Sequence, residues 1–552
     1  MTTVQDATFN LATVFGTVAA AVPDQEVLVW RDRRLTYREM DRRIDGLAHW
    51  FLGRGLGWHT PRGQLAGHES GQDHVGLYLR NGNEYPEAMV AAYRARATAF
   101  NINYQYVEQE LIHLLNDAGA RALVFHAEFA PRVAAIRRQV PTLEHLLQVA
   151  DESGNPLLDG AEDYEAATST PAPDGPAPVP AGDDSFLLYT GGTTGMPKGV
   201  LWRHHDVYVA AMGGRPFGSP DPYASYQHIA EAAREANGGL RLLMTAPFMH
   251  GAAQWSSFHM ISTGGTIVLP DNIMRMDAAD WLRTAEREGV MSIPVVGDAM
   301  ARPLVEELER HDYDLPALGA ISNGGAPISP GVRHRLLAVL PNILILDAVG
   351  SSETGIQMNH LSAVGNEAQT AVFSAEPDTT VVDDLRTRVL LPGEGQGWLA
   401  RRGLVPLGYL GDPEKTAATF PVIDGVRFSV PGDRAELLED GRIRLLGRDA
   451  VTINSGGEKI FAEEVERALA GHPDITDVIV AGRPSERWGS EVVAIVALRD
   501  GSTATDDDLL AEAGRHVARY KLPKAIIRRP EVKRSPSGKA DYRWAREQVG
   551  PG

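Results

Sequence analysis

Tyr189-Thr190-Gly191-Gly192-Thr193-Thr194-Gly195-Met196-Pro197-Lys198-Gly199-Val200 is the stretch of this chain best equipped for chemistry. Four glycines, three threonines and one lysine fall within residues 190–199. Such a loop offers backbone N–H groups, hydroxyl donors and an ammonium with little bulk in the way. Clustered donors of that kind are what a polyphosphate requires. It is not a Walker A loop, which needs Ser or Thr directly after Gly-Lys; Lys198 stands between Pro197 and Gly199. Apolar Phe186-Leu187-Leu188-Tyr189 runs into the loop as a buried strand would.

Other residues further along could complete a site for a nucleotide and an acid. Ile321-Ser322-Asn323-Gly324-Gly325-Ala326-Pro327 ends an apolar run in a glycine pair, against which a flat ring can lie. Glu353 closes Ala348-Val349-Gly350-Ser351-Ser352-Glu353 and is a hard oxygen ligand, the type a phosphate-bound ion takes. Asp433, after Pro431-Gly432, is a carboxylate able to accept two hydrogen bonds at once. His250 follows apolar Leu242-Leu243-Met244 in Ala246-Pro247-Phe248-Met249-His250-Gly251; a lone histidine in such a place is more often structural. Lys539 comes after Pro536-Ser537-Gly538 near the end, where a lysine is ordinarily a solvated charge. His204 and His205 suggest a metal pair, but adjacent residues on a helix point to different sides.

Taken in order, these motifs resemble the adenylate-forming superfamily of acyl-CoA synthetases, luciferases and peptide-synthetase adenylation domains, over essentially the whole chain. The superfamily's phosphate loop reads Tyr/Phe-Thr-Ser-Gly-Thr-Thr-Gly-x-Pro-Lys-Gly, so Gly191 replaces a serine and removes one hydroxyl donor. The resemblance implies that Thr190, Gly191, Gly192, Thr193, Thr194, Gly195 and Lys198 hold the phosphates of ATP. Asn323, Gly324 and Gly325, with Ala348, Val349, Gly350, Ser351 and Ser352, are implied to hold the adenine, Val349 standing where an aromatic is usual. Glu353 is the implied Mg²⁺ contact, and Asp433 with Arg448 of Gly447-Arg448-Asp449 would reach the ribose. His250 would lie beside the acyl carboxylate, in a pocket with Met249, Gly251 and Ala252. Ser455, Gly456, Gly457 and Glu458 would face the pantetheine of coenzyme A, and Lys539 matches the terminal catalytic lysine. The superfamily's charged hinge position falls on Ala450.

The implied reaction is ATP-dependent activation of a carboxylic acid to an acyl-adenylate, then transfer to coenzyme A. The alternative is adenylation only, with the acyl-AMP passed to another enzyme or carrier. Details such as Thr190-Gly191-Gly192 and Lys533-Arg534-Ser535-Pro536 look closest to bacterial synthetases for long, branched or steroid-side-chain acids. Met249 beside small Gly251, Ala252 and Ala253 suggests a wide apolar space and hence a bulky acid, steroid- or terpenoid-like or a long branched fatty acid. The expected fold is α/β: a large domain of layered sheets and helices over 1–447 and a small mobile α/β domain over 448–552.

Composition agrees with that reading. At 552 residues the chain exceeds what one core serves, so at least two domains are expected. The net charge of −19, from 53 basic and 72 acidic residues, argues against nucleic acid as a partner. There are no cysteines, so a thioester must be made on an external thiol. A hydrolase would need a Gly-x-Ser-x-Gly elbow, which does not occur. A dehydrogenase would need a glycine motif after a strand, whereas Gly393-Glu394-Gly395-Gln396-Gly397 follows Pro392 and reads as a turn. No apolar run approaches a membrane span. Leu11 to Val22 is mildly apolar but has no Lys or Arg ahead of it, so it reads as an amphipathic helix, and cytoplasmic is the default location. The oligomeric state stays open, a homodimer included.

The elements that must position these residues alternate between strand and helix. Val27 to Trp30 reads as a strand, Arg31 to Arg34 as a turn, and Thr36 as a helix cap with Glu39 completing a capping box. Val75 to Leu79 and Ala122 to Phe125 read as strands around a helix over Asn81 to Ala97. Thr168 to Asp184, rich in Pro, Ala, Gly and Asp, reads as a surface loop inside the large domain. From Val451 the pattern resets: helix Glu463 to Ala470, strands Val478 to Ala481 and Val492 to Leu498, helix Leu509 to Tyr520.

Overall fold

A computed structural model describes residues 8–190, 196–216, 219–366, 371–448, 451–455, 458–485, 489–535 and 538–550. Alternating side chains on buried strands build its layers. Along Ser185–Thr190, Phe186 and Leu188 enter one apolar cluster while Leu187 and Tyr189 enter another. Both faces of the strand are covered, which is why it reads as a continuous apolar run.

This strand belongs to an eight-stranded sheet in which parallel pairing runs from it through Thr98–Asn101, His74–Tyr78, Ala120–His126 and His145–Val149. A fifteen-stranded sheet carries a second parallel set: Glu26–Trp30, Thr266–Val268, Arg241–Leu243, Ser292–Val295, Ala320–Gly324 and Leu344–Ser351. Between the sheets lie helices Leu11–Ala21, Tyr37–Gly53, Glu84–Arg94 and Gly251–Ser262, whose residues share one core with both sheets. Loops at the carboxyl ends of parallel strands are where such architectures bind ligands. Those ends carry Thr190, Pro247 to His250, Gly324-Gly325 and the run to Glu353.

Local signals account for the boundaries. The Thr36 hydroxyl accepts from Glu39 N while a Glu39 oxygen accepts from Thr36 N at 2.9 Å, and helix Tyr37–Gly53 starts there. The expected turn at Arg31 to Arg34 is tighter: Arg31 takes φ 53° and Arg33–Thr36 already pairs as a strand. Gly395 likewise opens a strand, Gly395–Arg402, so only the front of the Gly393 to Gly397 stretch is a turn. Leu11–Ala21 is a helix buried along most of its length.

Residues from 451 onward have their own cores, none of whose members precedes Val451. A three-stranded sheet of Ile475–Ser485, Gly489–Leu498 and Ala525–Arg528 packs with helices Ala462–Ala470, Asp506–Ala513 and Tyr542–Val549. The helix expected over Leu509 to Tyr520 ends at Ala513, because Gly514 caps it; a short 3-10 turn, Arg519–Lys521, follows. The whole is a mixed α/β structure with a large N-terminal and a small C-terminal domain. Among the described residues, no helix is long and apolar enough to cross a membrane.

Candidate active site

Asn101 organises the entry to the glycine-rich loop. Its buried amide accepts from Tyr189 N at 2.7 Å and donates to Tyr189 O at 2.8 Å and Met249 O at 2.7 Å. One side chain thus ties the start of that loop to the residue before His250. Thr190 lies opposite Lys198 in antiparallel register, so the loop joins two hydrogen-bonded strands. Gly191, Gly192, Thr193, Thr194 and Gly195 lie outside the described residues. Lys198 Nζ reaches Asp412 Oδ2 at 3.1 Å and stays largely exposed, so its charge remains available to an anion.

The segment leading to His250 is held by two further amides. Asn81 donates to Ala246 O at 3.0 Å and accepts from Phe248 N at 2.8 Å, and Gln254 donates to Phe248 O at 2.9 Å. His250 precedes helix Gly251–Ser262, and its Nε2 is buried with no hydrogen-bond partner among the described residues. Burial pushes the imidazole down to about 4, with the nearby Lys539 charge adding to the effect. At neutral pH this is an uncharged ring with an open polar atom, suited to a carboxylate.

At Gly251 the room expected beside Met249 is partly taken up. A Cβ on Gly251 would stand 2.7 Å from Leu188 Cδ2 and 3.6 Å from Trp255, so neighbouring side chains already fill the room glycine leaves. Met249 and Ala253 are buried in the packing, and Ala252 is exposed rather than enclosed. The small Gly251 lets the helix approach the phosphate-loop strand closely.

The glycine turn is built on a polar network. The Asn323 amide donates to Asp347 Oδ1 at 2.8 Å and to Ala326 O at 3.0 Å and accepts from Gly297 N at 2.8 Å. Arg333 in turn donates to Asp347 Oδ2 at 2.7 Å. Asn323 is therefore committed to shaping the turn rather than free to meet a base. Gly324 pairs with Ala348 across parallel strands, and Gly325 takes φ +82°. Gly350 lies against the Gly355 carbonyl, where a side chain would not fit. Val349 leans on the cluster of Met358, Val381 and Leu399.

Glu353 occupies the tip between strands Leu344–Ser351 and Gly355–Ser362. Three elements fix that tip by its backbone. Trp202 donates to Ser352 O at 2.9 Å, the Ser429 hydroxyl to Glu353 O at 2.6 Å, and buried Arg401 to Thr354 O at 2.8 Å and Ile356 O at 2.6 Å. Ser351 Oγ accepts from Glu353 N at 3.3 Å. The carboxylate itself receives the Tyr409 hydroxyl on Oε1 at 2.8 Å. Oε2 carries no hydrogen bond among the described residues. A single oriented carboxylate fits a magnesium ion whose remaining ligands are phosphate oxygens and water.

Asp433 and Arg448, fifteen positions apart in sequence, are direct register partners on strands Asp433–Leu437 and Ile443–Arg448. The Arg448 side chain, Ala450, Gly456, Gly457 and the Glu458 side chain lie outside the described residues. Ser455 ends a hairpin strand, Thr452–Ser455, whose Ile453 packs against Gly482. The terminal lysine is brought in from the small domain. Ser535 accepts from Gly538 N through its carbonyl at 2.8 Å, and Gly538 takes φ +75°. A Cβ on Gly538 would stand 3.2 Å from Val296 Cγ1 and 3.5 Å from Ala299, both on the large domain. Lys539 Cε lies 3.5 Å from the point where Gly325 would carry a Cβ. The lysine therefore meets the glycine turn and the neighbourhood of His250 in one place.

His204 and His205 are structural. His204 Nδ1 accepts from Leu11 N at 3.4 Å with Nε2 at 3.1 Å from Ser185 O, and His205 Nδ1 accepts from Phe9 N at 3.3 Å. Sequence reasoning passed over Asn101 and Tyr409. Asn101 had a signal, since a polar residue closing a fully buried strand needs a partner. Tyr409 had none, because its partner lies 56 residues away.

Known proteins resemble this chain in sequence and in fold. A family described as AMP-binding enzyme matches residues 15–410, and one described as AMP-binding enzyme C-terminal domain matches 464–539. The chain is 55% identical to the medium-chain acyl-CoA ligase Mig of Mycobacterium avium over 98% of both chains. It is 38% identical to a 3-oxocholest-4-en-26-oate--CoA ligase of Rhodococcus rhodochrous, over 98% of this chain and 96% of that one. In fold it is similar to ATP-bound MatB from Rhodopseudomonas palustris, at TM-score 0.78 and 21% identity, covering 98% of this chain and 99% of that one.

Proposed function

The chain belongs to the AMP-binding enzymes and is an AMP-forming acid–thiol ligase; from that premise we propose which residues perform the reaction and which acid it takes. The observation that carries the assignment is Lys539, delivered by the small domain to the side of Gly325 and the surroundings of His250. The boundary we assign is 447/448, with 1–447 holding ATP and acid and 448–552 supplying the lysine.

In the first half-reaction a carboxylate oxygen bonds to the α-phosphorus of ATP and pyrophosphate leaves. Thr190, Lys198 and the glycine loop neutralise the leaving phosphates, and the Gly324-Gly325 turn with Ala348 to Ser352 cradles the adenine. Asp433 accepts the ribose hydroxyls, with Arg448 beside it. Neutral His250 orients the acid carboxylate without competing for it as a fixed countercharge. Lys539 bridges carboxylate and α-phosphate, where negative charge accumulates. When bound at Glu353, Mg²⁺ supplies further neutralisation of the phosphates. In the second half-reaction the thiol sulfur of coenzyme A bonds to the acyl carbon and AMP leaves. Lys539 has no part there, so the small domain can turn its Ser455 to Glu458 hairpin to the site, a gating step. Passing the adenylate to another acceptor is not favoured, since the similar proteins are named as CoA ligases.

The acid we assign is apolar, and the packing around Gly251 refines its shape. Leu188 and Trp255 crowd the position next to Gly251, and from this we infer a slim path to His250. That suits an acid whose first carbons are an unbranched or lightly branched chain: a medium-chain or longer fatty acid, or a steroid with its carboxyl on the side chain. Each buried methylene contributes about 0.8 kcal/mol, which separates octanoate from acetate decisively. Specificity constants for acetate, benzoate, octanoate, palmitate and a steroid side-chain acid test this. Octanoate, palmitate or the steroid acid should exceed acetate and benzoate by at least about tenfold; benzoate as best substrate would overturn the slim-path reading.

A further inference from the structure

Tyr409 lies in a two-residue strand, Gly408–Tyr409, outside every motif that the sequence offers for nucleotide or acid. It pairs antiparallel with Lys198–Arg203, Tyr409 opposite Val200, so it is tied to the strand that leaves the phosphate loop. Leu407 N donates to Leu201 O at 2.7 Å and Leu410 N to Gly199 O at 2.8 Å, locking the register on both sides. The ring is buried, 3% exposed, and packs near Phe420.

Two charged groups rest on this one side chain. Its hydroxyl donates to Glu353 Oε1 at 2.8 Å. Over its face stands Lys415 Nζ, 4.0 Å from the ring centroid, an attractive geometry for an ammonium. Lys415 belongs to helix Pro413–Thr419, capped by Asp412, whose other oxygen holds Lys198 Nζ at 3.1 Å. Lys198, Asp412, Lys415, Tyr409 and Glu353 thus form one continuous chain of contacts. It brings together two ammonium groups, of Lys198 and Lys415, and two carboxylates, of Asp412 and Glu353, at the strand that leaves the glycine-rich loop. The Glu353 backbone is fixed separately by Ser429, and its neighbour Ser352 by Trp202. Those contacts place the residue; the Tyr409 hydroxyl aims its carboxylate.

We propose that Tyr409 is a positioning residue of the adenylation step: its hydroxyl turns Glu353 so that Oε2 faces the phosphates, and its ring holds Lys415 as a second cation for the departing pyrophosphate. The inference rests on the assignment of Glu353 to the phosphate-bound magnesium ion, and the test separates the two. An aromatic without the hydroxyl keeps the packing and the ammonium but frees the carboxylate to rotate. A neutral replacement of Lys415 keeps the carboxylate aimed but removes the charge. The two variants must therefore fail differently.

The experiment compares wild type, Tyr409→Phe, Lys415→Met and Glu353→Gln, each first checked for an unchanged melting temperature. Two readouts are taken: calorimetric affinity for Mn²⁺·ATP against ATP in EDTA, and acid-dependent ATP–pyrophosphate exchange titrated with Mg²⁺ and with pyrophosphate. Tyr409→Phe should weaken Mn²⁺·ATP and raise the half-saturating Mg²⁺ by about three- to tenfold, with metal-free ATP and the KM for acid unchanged. Lys415→Met should raise the half-saturating pyrophosphate by a similar factor and leave the Mg²⁺ titration in place. If Glu353→Gln shifts the metal titration and Tyr409→Phe does not, the role of Tyr409 is refuted while that of Glu353 stands. If Glu353→Gln itself leaves the metal titration unmoved, the assignment of Glu353 falls and the inference with it. A Lys415→Met protein with wild-type pyrophosphate dependence would remove the second cation from the proposal.

Discussion

Ala299→Arg should slow adenylation and spare thioester formation, because Ala299 matters only where the small domain docks. Ala299 is exposed on the first turn of helix Gly297–Leu308, so a longer side chain does not disturb the large domain's own core. It faces the Ser535 to Lys539 loop: its Cβ lies 3.5 Å from where Gly538 would carry one, with Val296 at 3.2 Å on the same side. An arginine stem growing from that Cβ competes with the loop for the space beside Gly538. Forcing bulk into such a contact costs about 1–3 kcal/mol. That cost falls on the pose that delivers Lys539, which lowers the rate of pyrophosphate exchange by about 5- to 150-fold. Thioester formation from chemically prepared acyl-adenylate and coenzyme A should change less than twofold, and Ala299→Ser should resemble wild type in both assays. Equal losses in the two half-reactions, or no loss in either, would refute the docking argument.

Lys539→Ala should abolish exchange while sparing the thioester half-reaction; loss of a charge acting in the transition state costs about 3 kcal/mol or more. Equal damage to both would deny it a role confined to the first step. Asp433→Ala should raise the KM for ATP by about tenfold or more, by removing a charged acceptor from the ribose hydroxyls, and an unchanged KM would make Asp433 structural. Burial holds His204 down to about 3 from 6.5, and its Nδ1 is an acceptor that protonation would destroy. Its folded-state pKa is depressed, so its stabilising effect is complete above 6.5 and declines as pH falls toward about 3. Over that window it contributes about 1.4 kcal/mol per pH unit. Urea unfolding of His204→Gln between pH 7 and 5 should therefore show a shallower pH slope than wild type by about one proton. Parallel slopes would contradict a buried neutral His204.

Much of the site was legible because its parts are local. The run into Thr190, the Gly324-Gly325 pair and the Thr36–Glu39 capping box each declare their conformation within a few residues. Asp433 and Arg448 were legible as motifs, and their register pairing explains why fourteen intervening residues do not separate them. What stayed hidden depends on partners distant in sequence. Gly251 reads as open space until Leu188, 63 positions earlier, is seen filling it. Asn323 reads as a ligand until its amide is found bonded to Gly297, Ala326 and Asp347. The helix after Asp506 reads as continuing to Tyr520 because apolar spacing persists past Gly514, while the backbone stops at Ala513.

The central claim is that one chain joins an acid to coenzyme A through an adenylate, with ATP cleaved to AMP and pyrophosphate. Its most direct measurement is product stoichiometry: purified protein with octanoate or a steroid side-chain acid, ATP, Mg²⁺ and coenzyme A, followed by mass analysis of all products. The account predicts acyl-CoA, AMP and pyrophosphate in equal amounts, and acyl-AMP held on the protein when coenzyme A is left out. ADP and phosphate in place of AMP and pyrophosphate, or adenylate that coenzyme A does not consume, would contradict it.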